Sequence, residues 1–187
     1  TLTYTAGTIT TTSSTLDLQS NCTLNTAGMT WNDVRMTTVL STMTINSLLS
    51  ASGTLFIGNF DITFAGTAGF TVANLSMTNN SGALRTITLV ALLTYTVSST
   101  LKIAVSQVVN ALTDVFYTLT SNNAITTAIF NYSGTAANQS VTYCNATRIN
   151  SSGGNNIKFM KGTLTDTTNW TAVSSLSAPV AVGYAFM

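Results

Sequence analysis

Charge is what this sequence lacks most. Among 187 residues there are six Lys or Arg and five Asp, with no Glu and no His, so charged side chains make up 6% of the chain, against about 25% in an ordinary soluble domain. Without His there is no imidazole base for a Ser-His triad and no usual zinc ligand set. A net charge of +1 gives no field to draw nucleic acid or an anionic lipid surface toward the protein. Proline occurs once, at Pro179, so little interrupts extended chain. The two cysteines, Cys22 and Cys144, are far apart and form no metal-like cluster; they read as two buried free thiols, with one long-range disulfide as the alternative. No apolar run reaches the roughly eighteen residues of a helical membrane span, the nearest being "ITLVALLTYTV". Nucleic-acid binding, membrane insertion and a cofactor are therefore not expected.

Low charge does not mean disorder here, because 45% of residues are hydrophobic and disordered chains are poor in them. Thr replaces charge at about one residue in five; it is β-branched, and its hydroxyl meets water without an ion. Period-two alternation dominates, as in "TTVLSTMTINSLL", "GTLFIGNFDITFAG", "LRTITLVALLTYTV" and "DVFYTLTS", which predicts strands. Between them lie "FAGTAG", "TNNSGA", "TSNNA" and "NSSGGNN", clusters whose Gly, Asn and Ser favour turns. Only residues 103–116 offer a helical alternative, and their Val content opposes it.

The chain also repeats itself. Residues 26–37, "TAGMTWNDVRMT", match residues 67–78, "TAGFTVANLSMT". Gly28 falls on Gly69, Met29 on Phe70, Val34 on Leu75 and Met36 on Met77, while Asp33 falls on Asn74, either of which closes a turn through its side chain. Trp31 and Asp33 would make a sugar-binding pair, but the second copy has Val72 and Asn74 in their places. The spacing of 41 residues fits two coils of about twenty residues in a stacked parallel architecture, with Gly28 and Gly69 at one corner and a further rung between the matched ones. An antiparallel sandwich is the alternative; its hairpins favour compact Asn-Gly or Asp-Gly turns, and neither dipeptide occurs. The expected fold is thus all-β, a right-handed parallel β-helix, over one domain spanning residues 1–187. The opening at Thr1, without Met, suggests the C-terminal part of a longer chain.

From about residue 78 onward, "TITLVALLTYTVSSTLKI" and then "QSVTYCNATRINSSGGNNIKFMKGTLTDTTNW" resemble the terminal coils of repetitive parallel β-helix regions in bacteriophage fibre and other virion-surface proteins, and in large bacterial surface proteins. The family pattern has a V-x-Y strand, a D/N-S-S-G-G turn, an inward Ile and a closing N-W; it falls here on Val141 and Tyr143, on Asn150 to Gly154, on Ile157, and on Asn169 and Trp170. The resemblance implies terminal coils over residues 141–170, a closing strand or tail over 171–187, and a virion-surface or extracellular location. Read from the residues alone, Gly153 and Gly154 would permit a turn with positive φ, Asn150 would cap it, and Trp170 is large enough to cover an open end. No catalytic residue travels with the resemblance.

A search for chemistry returns little. Glycoside hydrolysis needs two carboxyl groups about 5 to 9.5 Å apart, and the only carboxylates are Asp17, Asp33, Asp61, Asp114 and Asp166, of which Asp33 and Asp61 are the pair to watch. "NSSGGNN" has neither the Lys nor the following helix of a phosphate loop. Lys158, Lys161 and Arg148 form a small basic spot that reads as a solvated face. The leading expectation is a non-enzymatic structural or adhesive module, a homo-oligomer with a trimer favoured, whose partners are other virion proteins or host surface glycans. A repeating subunit of an extracellular filament or surface layer is the rival from another class. A polysaccharide depolymerase is less favoured. So is an ice-binding protein, which needs a regular T-x-T row, whereas "TIT", "TMT" and "TLT" recur at no constant interval.

Overall fold

A computed structural model gives the fold; it describes residues 2–3, 13–26, 29–37, 42–79, 83–105 and 117–176. The regular structure of the described residues is almost all strand: β1 (Leu2–Thr3), β2 (Thr15–Leu18), β3 (Cys22–Asn25), β4 (Thr30–Trp31), β5 (Asp33–Met36), β6 (Thr42–Ile45), β7 (Leu49–Ile57), β8 (Ile62–Gly66), β9 (Phe70–Asn79) and β10 (Arg85–Leu89). Then come β11 (Thr94–Val105), β12 (Tyr117–Ser121), β13 (Ala128–Tyr132), β14 (Gln139–Thr142), β15 (Cys144–Thr147), β16 (Ile149–Asn150), β17 (Ile157–Met160), β18 (Leu164–Thr165) and β19 (Trp170–Ala172). Among the described residues the one helical turn is the 3-10 turn Ala136–Asn138. Of the segment with a helical alternative, Ile103 to Val105 end β11; residues 106–116 lie outside the described residues, as do Pro179 and the rest of 177–187.

The strands form two sheets, one ordered β1-β3-β6-β8-β10-β12-β15-β18 and the other β19-β17-β14-β11-β9-β7-β5-β2, to which β4 adds beside β7 and β13 beside β11, with β16 beside β13. Every strand pairing in both is parallel. The antiparallel sandwich is therefore excluded for these residues. Parallel neighbours cannot be joined by a tight hairpin, and the chain solves this by passing from one sheet to the other and back before it meets its own previous strand. Alternation does the rest: in β12 and β13 every second side chain is buried, and the inward side chains of both sheets meet in one core. Phe64 from the first sheet lies 5.7 Å from Phe70 and 5.9 Å from Tyr95 of the second.

The repeat is resolved in register. Val34 pairs with Leu55 and Leu55 with Leu75, while Met36, Ile57 and Met77 form the next column in the same way. One rung does lie between the matched rungs. Such even steps hold only in this first part, however. In the first sheet Thr42 meets Thr63, but farther along Ile62 meets Ile87 and Arg85 meets Tyr117, each across a longer stretch of chain than the last. The interval then shortens, as Tyr117 meets Cys144 and Ala146 meets Leu164. Connections between strands take up the difference, as the turn at 122–127 does, so the strands stay in line while the chain between them varies.

Candidate functional site

The corner residues singled out in the sequence are best described by what their backbones touch. Gly28 lies outside the described residues. Gly69 is buried, and a side chain there would run into the Thr94 carbonyl of the next rung. Asn150 accepts the Ser152 amide at 2.9 Å through Oδ1, the expected side-chain turn bond. Gly153 and Gly154 correct the sequence reading: their φ is not positive, the positive-φ glycines among the described residues being Gly66 and Gly162. They are glycine because the preceding rung crowds them. A Cβ on Gly153 would meet the Asn131 amide nitrogen at 2.8 Å, and one on Gly154 the Tyr132 carbonyl oxygen at 2.6 Å. Trp170 lies on the last described strand of its sheet, 8% exposed, and its indole N–H donates to the buried Ser151 hydroxyl at 2.8 Å. Ile157 is inward as the resemblance implied, whereas Tyr143 lies outside any strand, at the corner between β14 of one sheet and β15 of the other, with φ near 53°.

Carboxylates are used as braces between rungs. Asp33 Oδ1 accepts the Thr54 amide at 2.7 Å, and Asp61 Oδ1 the Thr86 amide at 2.7 Å. Asp17 accepts from the Thr37 hydroxyl at 2.9 Å. Asp33 braces the second sheet and Asp61 the first, so they are not brought together; Asp114 lies outside the described residues. The basic spot is also dispersed: Lys161 donates to the Tyr143 hydroxyl at 2.8 Å with its ammonium 4.7 Å above that ring, while Lys158 is exposed. Both thiols are free, Cys144 fully buried and Cys22 half-buried. Burial pushes the Cys144 thiol up to about 12, so it is chemically quiet at neutral pH. Among the described residues no three potential metal ligands converge.

What sequence reasoning missed is a row. In the first sheet Thr42 pairs with Thr63, Thr63 with Thr88, Thr88 with Thr120, Thr120 with Thr147, and Thr147 with Thr165. All six are exposed or half-exposed, and Thr63, Thr88 and Thr120 each stand between two buried neighbours. Two positions earlier on each strand a second row begins at Asp61, then runs through the paired Thr86 and Thr118 to Asn145, whose side chain accepts both the amide and the hydroxyl of Thr163 at 2.9 Å. A shallow depression lined by Asn21, Cys22, Thr23, Thr42 and Thr44 lies at the head of the longer row. Irregular sequence spacing concealed these rows, because Thr88 and Thr120 pair as directly as Thr147 and Thr165, which are far closer along the chain.

Compared with known proteins, the chain matches no family model, no curated protein and no solved structure.

Proposed function

We propose that this chain is a structural or adhesive module built as a right-handed parallel β-helix, similar to those of bacteriophage fibre and virion-surface proteins, and that it performs no catalysis. The supporting observation is the path of the chain, which alternates between two wholly parallel sheets around one shared interior. That interior is filled by side chains from both sheets, including Phe64, Tyr95, Tyr117 and Phe130. Stacked rungs of this kind make a stiff body whose only unpaired edges are at its ends and which needs no ions for cohesion. A trimer would also shelter lateral surface. The partners in this reading are other virion proteins or host surface glycans.

Sedimentation and negative-stain imaging of the purified chain test it. A short rod of defined oligomeric state is expected, and a clean monomer at micromolar concentration would remove the trimer. Head-to-tail fibres growing from this chain alone would favour a filament subunit instead. Release of reducing sugar from host capsule, abolished by Asp33→Ala or Asp61→Ala, would overturn the non-enzymatic reading.

A further inference from the structure

The outward face of the first sheet differs from that of the second. Its central row is Thr at all six paired positions from Thr42 to Thr165, although Thr supplies only 38 of the 187 residues. Strand propensity does not account for that. The matching central row of the second sheet runs Asp17, Arg35, Phe56, Ser76, Lys102, Ser140, Lys158 and Thr171, in equally regular strands. Nor is the row a by-product of copied repeats, since its members are brought into line across steps of different lengths.

Chemistry narrows what such a face meets. It carries no aromatic ring on either outward row, so it offers no platform for a pyranose ring to stack on. Its one carboxylate, Asp61, is turned to the Thr86 amide. Within the row, Thr120 gives its hydroxyl to the Ser121 carbonyl at 3.3 Å; successive hydroxyls, at a strand spacing of about 4.8 Å, are too far apart to bond to each other. Two oxygens hydrogen-bonded to one tetrahedral water at about 2.75 Å each are about 4.5 Å apart. A water placed between each pair of rungs therefore joins the row into a continuous chain with the spacing of tetrahedral water, while the β-branched side chains, stiff at χ1, hold the hydroxyls in place.

We infer that this threonine face binds ice, the rows at Thr42–Thr165 and Thr86–Thr163 organising water into a lattice that joins a crystal surface. The inference does not depend on the virion reading, since a rod or a filament subunit can carry such a face. The test is ice growth in a nanolitre osmometer with the whole chain, its fold checked by circular dichroism. Faceted crystals and measurable thermal hysteresis are expected. Thr88→Lys and Thr120→Lys should each cut the hysteresis at least fivefold, while Ser76→Lys and Ser140→Lys on the second sheet leave it unchanged. Should lysine unfold the chain, Thr63→Val and Thr88→Val, which remove only hydroxyls, should still lower it at least twofold. The inference is overturned if the folded chain leaves ice growth as it is in buffer, or if both faces respond equally. It also fails if the chain is retained on crystalline chitin through Thr88 with no effect on ice, which would make the face a glycan site.

Discussion

Residues 15–79 and residues 85–172 solve the same problem in different ways. In the first stretch the rungs repeat nearly evenly and the inward columns are copies, Val34, Leu55 and Leu75 beside Met36, Ile57 and Met77. In the second the column that contains Leu75 continues through Leu101 to a buried Gln139, and beyond it in register lie Ile157 and then Trp170. Gln139 is only 2% exposed, yet both ends of its amide are bonded: Oε1 accepts the Lys158 amide at 2.8 Å and Nε2 donates to the Asn156 carbonyl at 3.2 Å. Side chains brace the later rungs at several such points, among them Asn145 on Thr163, Asn155 on Gly134 and Asn169 on Ser151 and Gly154. Parallel register therefore does not depend on constant spacing. Side-chain braces onto neighbouring backbone occur in both stretches, Asn21 on Thr42 and Asp33 on Thr54 in the first. What differs is the inward column, apolar copies where spacing is even and the buried amide of Gln139 where it is not.

The contrast is broken most severely by giving one stretch the residue of the other. Leu75→Gln places an amide where no neighbouring backbone is arranged to receive it, and loss of burial plus an unpaired polar group should destabilise by about 3–5 kcal/mol in urea unfolding. The reverse exchange, Gln139→Leu, adds hydrophobicity and should still destabilise by about 2 kcal/mol, because two backbone groups lose their partner. A neutral or stabilising result there would mean that the braces are incidental. Asp33→Ala should cost about 1–2 kcal/mol by orphaning the Thr54 amide, whereas Asp33→Asn should stay within about 0.5 kcal/mol, as Asn74 occupies the equivalent place in the second copy.

Alkali should separate the stretches without any substitution. Burial raises Tyr117 and carries Tyr132 and Cys144 up to about 12; all three are in the later rungs. Their folded-state pKa values lie above the unfolded values near 10 and 9, so the stability they contribute is whole below about pH 9 and is lost as pH rises toward 12. With a thiol reagent at neutral pH, Cys22 should react and Cys144 should stay protected. Reaction of Cys144 should begin within that alkaline window, and equal rates at pH 7 would contradict the burial described.

Much of the architecture is legible without coordinates. Alternation marks the strands, and the echo from Met29 to Met77 gives the two-step stacking, because inward positions must recur when rungs are alike. Asn150 makes the side-chain turn bond its residue type suggests, and the size of Trp170 matches its place on the last described strand of its sheet. Gly153 and Gly154 stand out in the sequence as a turn, yet the reason for glycine there is crowding by a rung that is distant along the chain, which leaves no local signature. The threonine rows escape for a related reason. A column is a property of pairing, and Thr88 and Thr120 become neighbours only when the connection between them is taken up at a corner. Gln139 offers no signal at all, because only its register with Ile157 makes it an interior residue.

The serial arrangement of rungs has a mechanical consequence. Each strand bonds only to those in the rungs before and after it, so a pull on one end loads the outermost ladder and leaves deeper ones slack until it yields. Rungs would peel away singly, each lengthening the tether in proportion to its residues, about 70 Å for a rung of about 21 residues, and the force needed would rise and fall with the ladder being opened. A body built this way dissipates a sudden tug in instalments.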